Sequence, residues 1–543
     1  RSSDLSGQEG YDGTNNAWKF KDSTDNGTHR LDQPIALTNN AVYCFSIYAK
    51  EGEHDTIGIE IGNSAVATNN VFFNLSNGTK SESGNIIGSS MIDVGNGWYR
   101  CSVTSTAGLT DRMLLQVQTG STASYIGNGT DGLYIQDAQL EQGLVATSVI
   151  TTGAVPAQAG LLENTPRLDY SGGATCPSLL LEPPRTNDSP YSEYISAFNN
   201  LSAINVNDNA TDSPEGVSNA AFIYADATSN QHYISNNHSY TSGTAFTISI
   251  FVKVKDYDYF FIRVQDFLSS STTSFNLSNG TLAAAGGEDS YTIESFNSDW
   301  YRISATYTPT STTANNNGLR LGFSPTASYN YTGDNSSGGY VYGYQFENNA
   351  SYPTSYIPTY GTSQTRAGEI CNSTEDATTI NSTEGVLYFE VSGFDNDGSD
   401  RYISISDGTL NNAIRVFYYQ DGGTTFFRKN VNGAQTTIVT TSAINKSELT
   451  KIAVKYNSTN FDIFSNGVKI STNLDSNSFP ISTLNEINFS NADGTNQPFY
   501  GKTKQLIYFP KVLSDLQLAI LTGATTYETF DEMALALNYT VYE

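Results

Sequence analysis

Apolar and polar residues alternate along this chain in short runs. In Phe246-Thr247-Ile248-Ser249-Ile250-Phe251-Val252-Lys253 the even positions are apolar. A period of two places them on one face of a β-strand. Tyr99, Cys101 and Val103 share a face in the same way. Polar clusters such as Ser76-Asn77-Gly78-Thr79 separate the runs, and Asn-Gly between apolar stretches signals a hairpin. Many short strands joined by polar turns predict an all-β chain of tandem β-sandwich or jelly-roll domains.

The pattern also repeats. VYCFSIYAK, ending at Lys50, matches AFTISIFVK, ending at Lys253. FNLSNGT at 73–79 recurs at 275–281. GNGWYRCSVT around Trp98 matches NSDWYRISAT around Trp300, GLYIQDAQLEQG around Gln139 matches GYVYGYQFENNA around Gln345, and ATSVITTG matches PTSYIPTYG. Lys50 and Lys253 stand 203 apart, Trp98 and Trp300 202, Gln139 and Gln345 206. Ordered matches at one spacing mean two copies of one domain: repeat 1 at residues 1–155 and repeat 2 at 187–362. Both keep Trp-Tyr-Arg inside a strand pattern, so each Trp reads as a core anchor rather than a sugar platform. Gly13 aligns with Gly216, which places position 1 near 204, so the stretch 185–203 has no counterpart in repeat 1. The first sandwich is therefore expected to be N-terminally incomplete. It would be completed by upstream residues of a longer polypeptide or by a strand from a neighbouring subunit.

Residues 156–186 contain Pro166, Pro177, Pro183 and Pro184. Proline forbids a continuous helix, and the stretch reads as a connector. Residues 363–375 read as another. A third β domain is expected at 376–522, with strand-like runs at 385–391, 401–406, 451–456 and 461–464 and a hairpin through Ser465-Asn466-Gly467. Two short helices close the chain, the second in a tail at 523–543. Ser514-Asp515-Leu516-Gln517 and Thr529-Phe530-Asp531-Glu532 are capping-box starts before apolar runs. Such short helices need a surface to dock on.

Composition sharpens this picture. With 35 Tyr and 27 Phe, the chain is too aromatic to be disordered. The net charge of −27 and the lack of a Lys/Arg cluster exclude nucleic acid as a partner. No apolar run approaches the ~18 residues of a membrane span, so membrane insertion is not expected. Cys44, Cys101, Cys176 and Cys371 form no CxxC pair, which leaves zinc unsupported. Cys44 and Cys101 read as buried thiols, and a disulfide between them stays open.

The connectors PRLDYSGG, SLLLEPPRTN and PTSYIPTYGTSQTRAGE resemble those of large tail or fibre proteins of tailed bacteriophages. The WYR…YGYQFE repeats resemble the carbohydrate-binding-module-like sandwich domains of such proteins. EGVLYFEV, KIAVKYNSTNFDIFSNGVKI, PFYGKTKQLIYFP and LSDLQLAILT resemble a concanavalin A-like lectin/glucanase (laminin-G-like) domain. The resemblance spans nearly the whole chain. It implies a non-enzymatic virion protein (tail fibre, appendage or decoration) on the particle surface, attaching to host-surface glycans. Its partners would be other copies of itself, as a homo-oligomer, and other virion proteins. A secreted bacterial adhesin or filament subunit, and an accessory module of a polysaccharide-degrading enzyme, remain alternatives.

Candidate chemistry is sparse. Glucanases of the lectin-like fold use paired carboxylates on one strand, whereas Glu390 is followed by Val391 and Ser392. Neither metal-like His spacing nor a G-x-S-x-G stretch occurs, so no catalytic residue is assigned. Asp395, Asp397 and Asp400 in a Gly-containing loop could ligate Ca²⁺, which takes hard oxygen donors; a solvated turn is the alternative. Phe417, Tyr418, Tyr419, Phe426 and Phe427 are candidate carbohydrate-binding residues, since sugars stack on exposed aromatic rings. The alternative is a strand buried on both faces. The abundant Asn-x-Ser/Thr triplets, as at Asn77 and Asn279, follow from composition.

Overall fold

The Trp-Tyr-Arg strand sits inside a six-stranded antiparallel sheet in each repeat. In repeat 1 the order is Leu5–Gln8, Ala17–Lys21, Gly132–Gln142, Val42–Lys50, Trp98–Thr106, Gly88–Gly95. Repeat 2 follows it position by position: Ile204–Thr211, Ala220–Ala225, Gly338–Asn348, Phe246–Val254, Trp300–Tyr307, Ser290–Phe296. A second six-stranded sheet closes each sandwich. The computed structural model describes residues 5–62, 69–107, 112–118, 124–153, 155–157, 165–171, 176–264, 271–297, 299–316, 318–394, 400–418, 425–441, 444, 448–523 and 529–537. The chain divides into two compact units, residues 1–159 with 186–365 and residues 160–185 with 366–543.

Alternation sets the cores. Phe246, Ile248, Ile250 and Val252 face Phe260, Ile262, Val264 and Phe275 across the second sandwich. Phe45, Ile47, Cys101 and Val103 face Ile57, Ile59, Ile61 and Phe73 in the first. Each buried aliphatic or aromatic side chain contributes roughly 2 kcal/mol. The four cysteines are free, and Cys44 and Cys101 are buried.

The opposite face of each Trp-Tyr-Arg strand explains the motif. Trp98 and Trp300 are both 1% exposed. Arg100 Nη2 donates to Ser46 Oγ (3.1 Å) and Thr147 O (2.5 Å). Arg302 Nη2 donates to Ser249 Oγ (3.0 Å) and Thr354 O (2.6 Å). The guanidinium lies 5.4 Å from the Tyr48 ring in one repeat and 5.5 Å from the Phe251 ring in the other. Gln139 and Gln345 each accept from a backbone N–H, of Ile150 and Ile357, at 2.7 Å. Glu141 and Glu347 accept from the Thr147 and Thr354 hydroxyls. The scattered sequence matches are thus one polar staple that pins the segment after the long strand onto the sheet.

Turns repeat as well. Asn74 Oδ1 accepts from Ser76 N at 3.1 Å, and Asn276 Oδ1 from Ser278 N at 3.0 Å. Gly78 and Gly280 take φ of 70° and 67°, the left-handed conformation that glycine adopts without strain. The Asn-x-Thr triplets at Asn77 and Asn279 are turn caps, with the Thr hydroxyl donating to Asn Oδ1. The repeats part at one strand. Asn26–Pro34 is continuous in repeat 1, whereas repeat 2 has Ser229–Gln231, Tyr233–Ser235 and His238–Tyr240. Tyr233–Ser235 is flanked by Asn200–Ser202, whose aligned position in repeat 1 falls before Arg1. Ile195 and Phe198, just before it, enter the core of repeat 2.

The other compact unit is a second kind of sandwich. Its seven-stranded sheet runs Leu168–Asp169, Ser178–Leu181, Gly501–Phe509, Gly385–Gly393, Thr450–Tyr456, Asn460–Ser465, Val468–Leu474. Residues 156–186 were expected to be a connector, yet 168–169 supply its edge strand and 178–181 the strand next to it. Leu181 reaches the core, and Glu182 is clamped by Arg167 at 2.5 Å and Arg366 at 2.9 Å. Prolines flank the Leu179-Leu180-Leu181 run and obscure it as a strand, but an apolar run that long needs burial.

The five-stranded sheet runs Ala434–Thr441, Thr425–Val431, Ala413–Tyr418, Arg401–Ser406, Glu486–Asn488. Leu387, Phe389, Ile452 and Ile463 face Ile403, Ile405, Ile414 and Val416 between the two sheets. On the other side of the seven-stranded sheet, Val386, Tyr388, Ala453 and Phe464 receive α1 (Asp515–Leu521) and α2 (Phe530–Ala536). Ser514 and Gln517 form the expected capping box, and Thr529 accepts from Glu532 N. Asp515 binds Lys455 and Lys469, at 2.9 Å each. No described helix is long and apolar enough to cross a membrane.

Candidate functional site

The five-stranded sheet keeps one face on the core and turns the other outward. Ile403, Ile405, Ile414, Val416 and Phe427 take the core face. The residues between them take the outer face, and strand register aligns them in rows. Ser404, Arg415, Arg428 and Ile438 stand side by side, and Tyr402, Phe417, Phe426 and Thr440 form the next row.

A hydrogen-bonded chain crosses this outer face. Arg415 donates to Asn491 Oδ1 (3.4 Å) and Asn430 Oδ1 (3.2 Å). Asn491 Nδ2 donates to Gln497 Oε1 (3.1 Å), and Gln497 Nε2 to Asp400 Oδ2 (2.9 Å). Ser404 and Ser406 hydroxyls donate to Ser490 O and Ala492 O, at 2.9 Å each, and lace the following loop over one side of the sheet. Phe426, Arg428 and Asn430 stay half-exposed on the other side. Arg428 lies 5.5 Å from the Phe426 ring.

Arg415 is 8% exposed. Burial lowers its pKa, as does the like charge of Arg428, while Tyr402 and the carboxylate of Asp493 act in the opposite direction. Two guanidinium groups thus stand side by side on this sheet, one of them desolvated.

The sequence candidates are distributed unevenly. Phe427 is a core residue with no exposed area. Its proposed role in sugar contact is corrected, because strand alternation turns it away from Phe426. Phe426 is on the outer face, and Phe417 stands opposite it by backbone register. The side chains of Phe417 and Tyr418, and all of Tyr419, lie outside the described residues. So do Asp395 and Asp397; Asp400 is engaged by Gln497. Among the described residues, no group of three His, Cys, Asp or Glu side chains is placed to hold a metal. Glu390 lies on the helix side of the other sheet, 4% exposed, 4.0 Å from Lys504. Sequence reasoning missed Arg415, Arg428, Asn430 and Asn491. The signal available was Arg at the polar positions of two adjacent alternating runs, around Arg415 and Arg428.

Residues 387–519 match the family model of the concanavalin A-like lectin/glucanases superfamily. No curated protein matches the chain. Among solved structures, the chain is similar to the CBM40 of the Ruminococcus gnavus IT-sialidase bound to α2,3-sialyllactose. Identity is 19% over 28% of this chain and 95% of that one, with a TM-score of 0.25. A heptameric SAP-like pentraxin from Limulus polyphemus shares 12% identity over 28% and 74%, with a TM-score of 0.24. The Caenorhabditis elegans galectin LEC-6 shares 11% over 25% and 90%, with a TM-score of 0.20.

Proposed function

We propose that this chain is a non-enzymatic attachment protein whose lectin-like domain binds a glycan bearing carboxylate or sulfate groups. The observation that carries this reading is Arg415, desolvated and held by the amide oxygens of Asn491 and Asn430, aligned with Arg428 beside the half-exposed Phe426. A saccharide ring stacks on Phe426, its acidic group meets Arg428, and Arg415 reinforces the field from below. Hydrolysis needs two carboxylates free to act on one bond. Here Asp400 accepts from Gln497, and Asp493 accepts from the Asn496 side chain at 2.9 Å, so both are tied into loop structure.

The resemblance of the connectors to those of phage tail and fibre proteins supports a virion surface location. There the chain would act as a homo-oligomer among other virion proteins, with a host-surface glycan as ligand. A glycan array probed with the full chain tests the binding reading. Acidic glycans are expected to bind, and Arg428→Ala is expected to weaken them about tenfold or more, the scale of a lost charge-assisted hydrogen bond. Binding indifferent to Arg428→Ala, or release of reducing sugar from the bound glycan, overturns it.

A further inference from the structure

The two repeats meet at a residue that the matching segment of repeat 1 lacks. PTSYIPTYG is one residue longer than ATSVITTG, and aligning their Thr and Gly ends makes Tyr360 the extra one. Its carbonyl accepts from Val42 N of repeat 1 at 2.9 Å, and Val42 O accepts from Gly143 N at 3.2 Å. Gly361 follows with φ 118°, and a Cβ there would stand 2.8 Å from Ala41 Cα. The two backbones therefore touch with no room for a side chain. Gly361 N donates to Pro190 O at 2.7 Å, which holds the segment on repeat 2.

The same residue reaches into the interior of repeat 2. The Tyr360 hydroxyl donates to Glu193 Oε1 at 2.9 Å. The Tyr356 and Tyr342 hydroxyls donate to that oxygen as well, and Asn219 Nδ2 donates to Oε2. Glu193 itself is 1% exposed. Glu215 acts by its charge on Glu193, Tyr342 and Tyr360, and Glu141 of repeat 1 acts on Tyr360. The Tyr342 and Tyr356 rings are anchored against Phe251, whereas the main chain of Tyr360 leaves the cluster for repeat 1. We infer that this arrangement is an acid-closed clasp between the repeats: loss of the Glu193 proton loosens the Tyr360 segment and lets repeat 1 move against repeat 2.

Solvation sets the direction. Burial raises the Glu193 carboxyl from the ordinary 4.5 to about 7; the like charge of Glu215 adds to this, and the Tyr356, Tyr360 and Asn219 hydrogen bonds oppose it. The closed clasp holds a proton that a solvated Glu193 has released. Its contribution to closure is complete below about pH 4.5 and is lost as pH rises through about 7. Across that span opening becomes ~100-fold or more easier, at a factor of ten for each unit by which burial raises the carboxyl. Water regains the carboxylate where the cluster is least anchored. That place is Tyr360, which is half-buried and lies on a connecting segment rather than in a strand.

Amide hydrogen exchange of the full chain tests this, read at Val42 on both sides of neutral pH and corrected for the intrinsic exchange rate. In the parent chain Val42 is expected to lose protection ~100-fold as pH rises through neutrality. In Glu193→Gln, which has no proton to lose, its protection should stay level. Tyr360→Phe keeps the ring and the carbonyl but removes the link to Glu193, so the pH dependence at Val42 should vanish there too; this variant decides the matter if Glu193→Gln does not fold. Ile47, in the middle of the Val42–Lys50 strand, should stay protected throughout. The inference is overturned if Val42 protection is level in the parent chain, or if it falls equally in parent and variants. It is also overturned if Ile47 loses protection together with Val42, which would mean that repeat 1 unfolds rather than undocks.

Discussion

Repeat 1 and repeat 2 are the same sandwich built twice, and they differ in where they tolerate change. The staple is kept atom for atom: Trp98 and Trp300 buried, Arg100 and Arg302 each bridging a serine hydroxyl and a threonine carbonyl. Outward positions on the neighbouring strand diverge from Lys19 and Lys21 to Phe222 and Tyr224. Interior polar positions diverge too. Repeat 2 buries Glu193, which accepts from the hydroxyls of Tyr342 (3.3 Å), Tyr356 (2.8 Å) and Tyr360 (2.9 Å) and from Asn219 (3.0 Å). At the positions of Tyr342 and Tyr356 repeat 1 has Gln136 and Val149. Positions that hold backbone to backbone are fixed by geometry, whereas positions that face solvent or a private pocket are free to acquire a separate role.

The largest effect is expected at the anchors. Trp98→Ala and Trp300→Ala should each cost ~3–5 kcal/mol, since both remove a fully buried indole. Urea unfolding of the full chain followed by circular dichroism measures this. Costs that differ between the repeats by more than the measurement error would break their equivalence.

Next comes Glu193, buried in repeat 2. Burial pushes its carboxyl from the ordinary range near 4.5 up to about 7, while the Tyr356, Tyr360 and Asn219 hydrogen bonds pull it partly back. The folded state then holds a proton that the unfolded state has released. Its stabilising contribution is complete below about pH 4.5 and is lost as pH rises through about 7. The loss is up to ~3 kcal/mol at about 1.4 kcal/mol per unit. Glu193→Gln should remove that slope from the difference between parent and variant stability across this window. An unchanged slope would remove Glu193 from the account.

The arginine staple should follow. Arg100→Gln and Arg302→Gln are each expected to cost ~1.5–3 kcal/mol, the scale of hydrogen bonds to a charged group, again by urea unfolding. A neutral outcome in only one repeat would show that the shared geometry carries unequal energy.

The smallest effect is at the bulge shared by the two long strands. Asp137 takes φ 50° where repeat 2 has Gly343 at φ 62°. A side chain there costs ~1 kcal/mol unless it earns a contact, and Asp137 accepts from Tyr11 at 3.0 Å. Asp137→Gly should therefore shift stability by less than ~1 kcal/mol. Gly343→Ala should destabilise more, because its Cβ would meet Phe251 at 3.0 Å and Tyr356 at 3.2 Å. The reverse ranking, by thermal melts, would contradict the bulge assignment.

Sequence alone determined the elements whose cause is local. Alternation at Phe246, Ile248, Ile250 and Val252 set a strand face, Asn-Gly set the turns, and Ser514 with Gln517 set a helix start. These follow from side-chain period, glycine's left-handed freedom and the unpaired N–H groups of a helix terminus. The internal repeat extended that reach, because one motif seen twice marks its positions as structural. Tertiary structure decided the rest. Only sheet register brings Arg415 beside Arg428 and turns Phe426 outward while Phe427 is buried. Only long-range pairing recruits Ser178–Leu181 as a strand beside Gly501–Phe509, more than three hundred residues on. Neither is written in local pattern, because a strand's place in a sheet and an outward row are defined by their neighbours in space, and those neighbours come from distant parts of the chain.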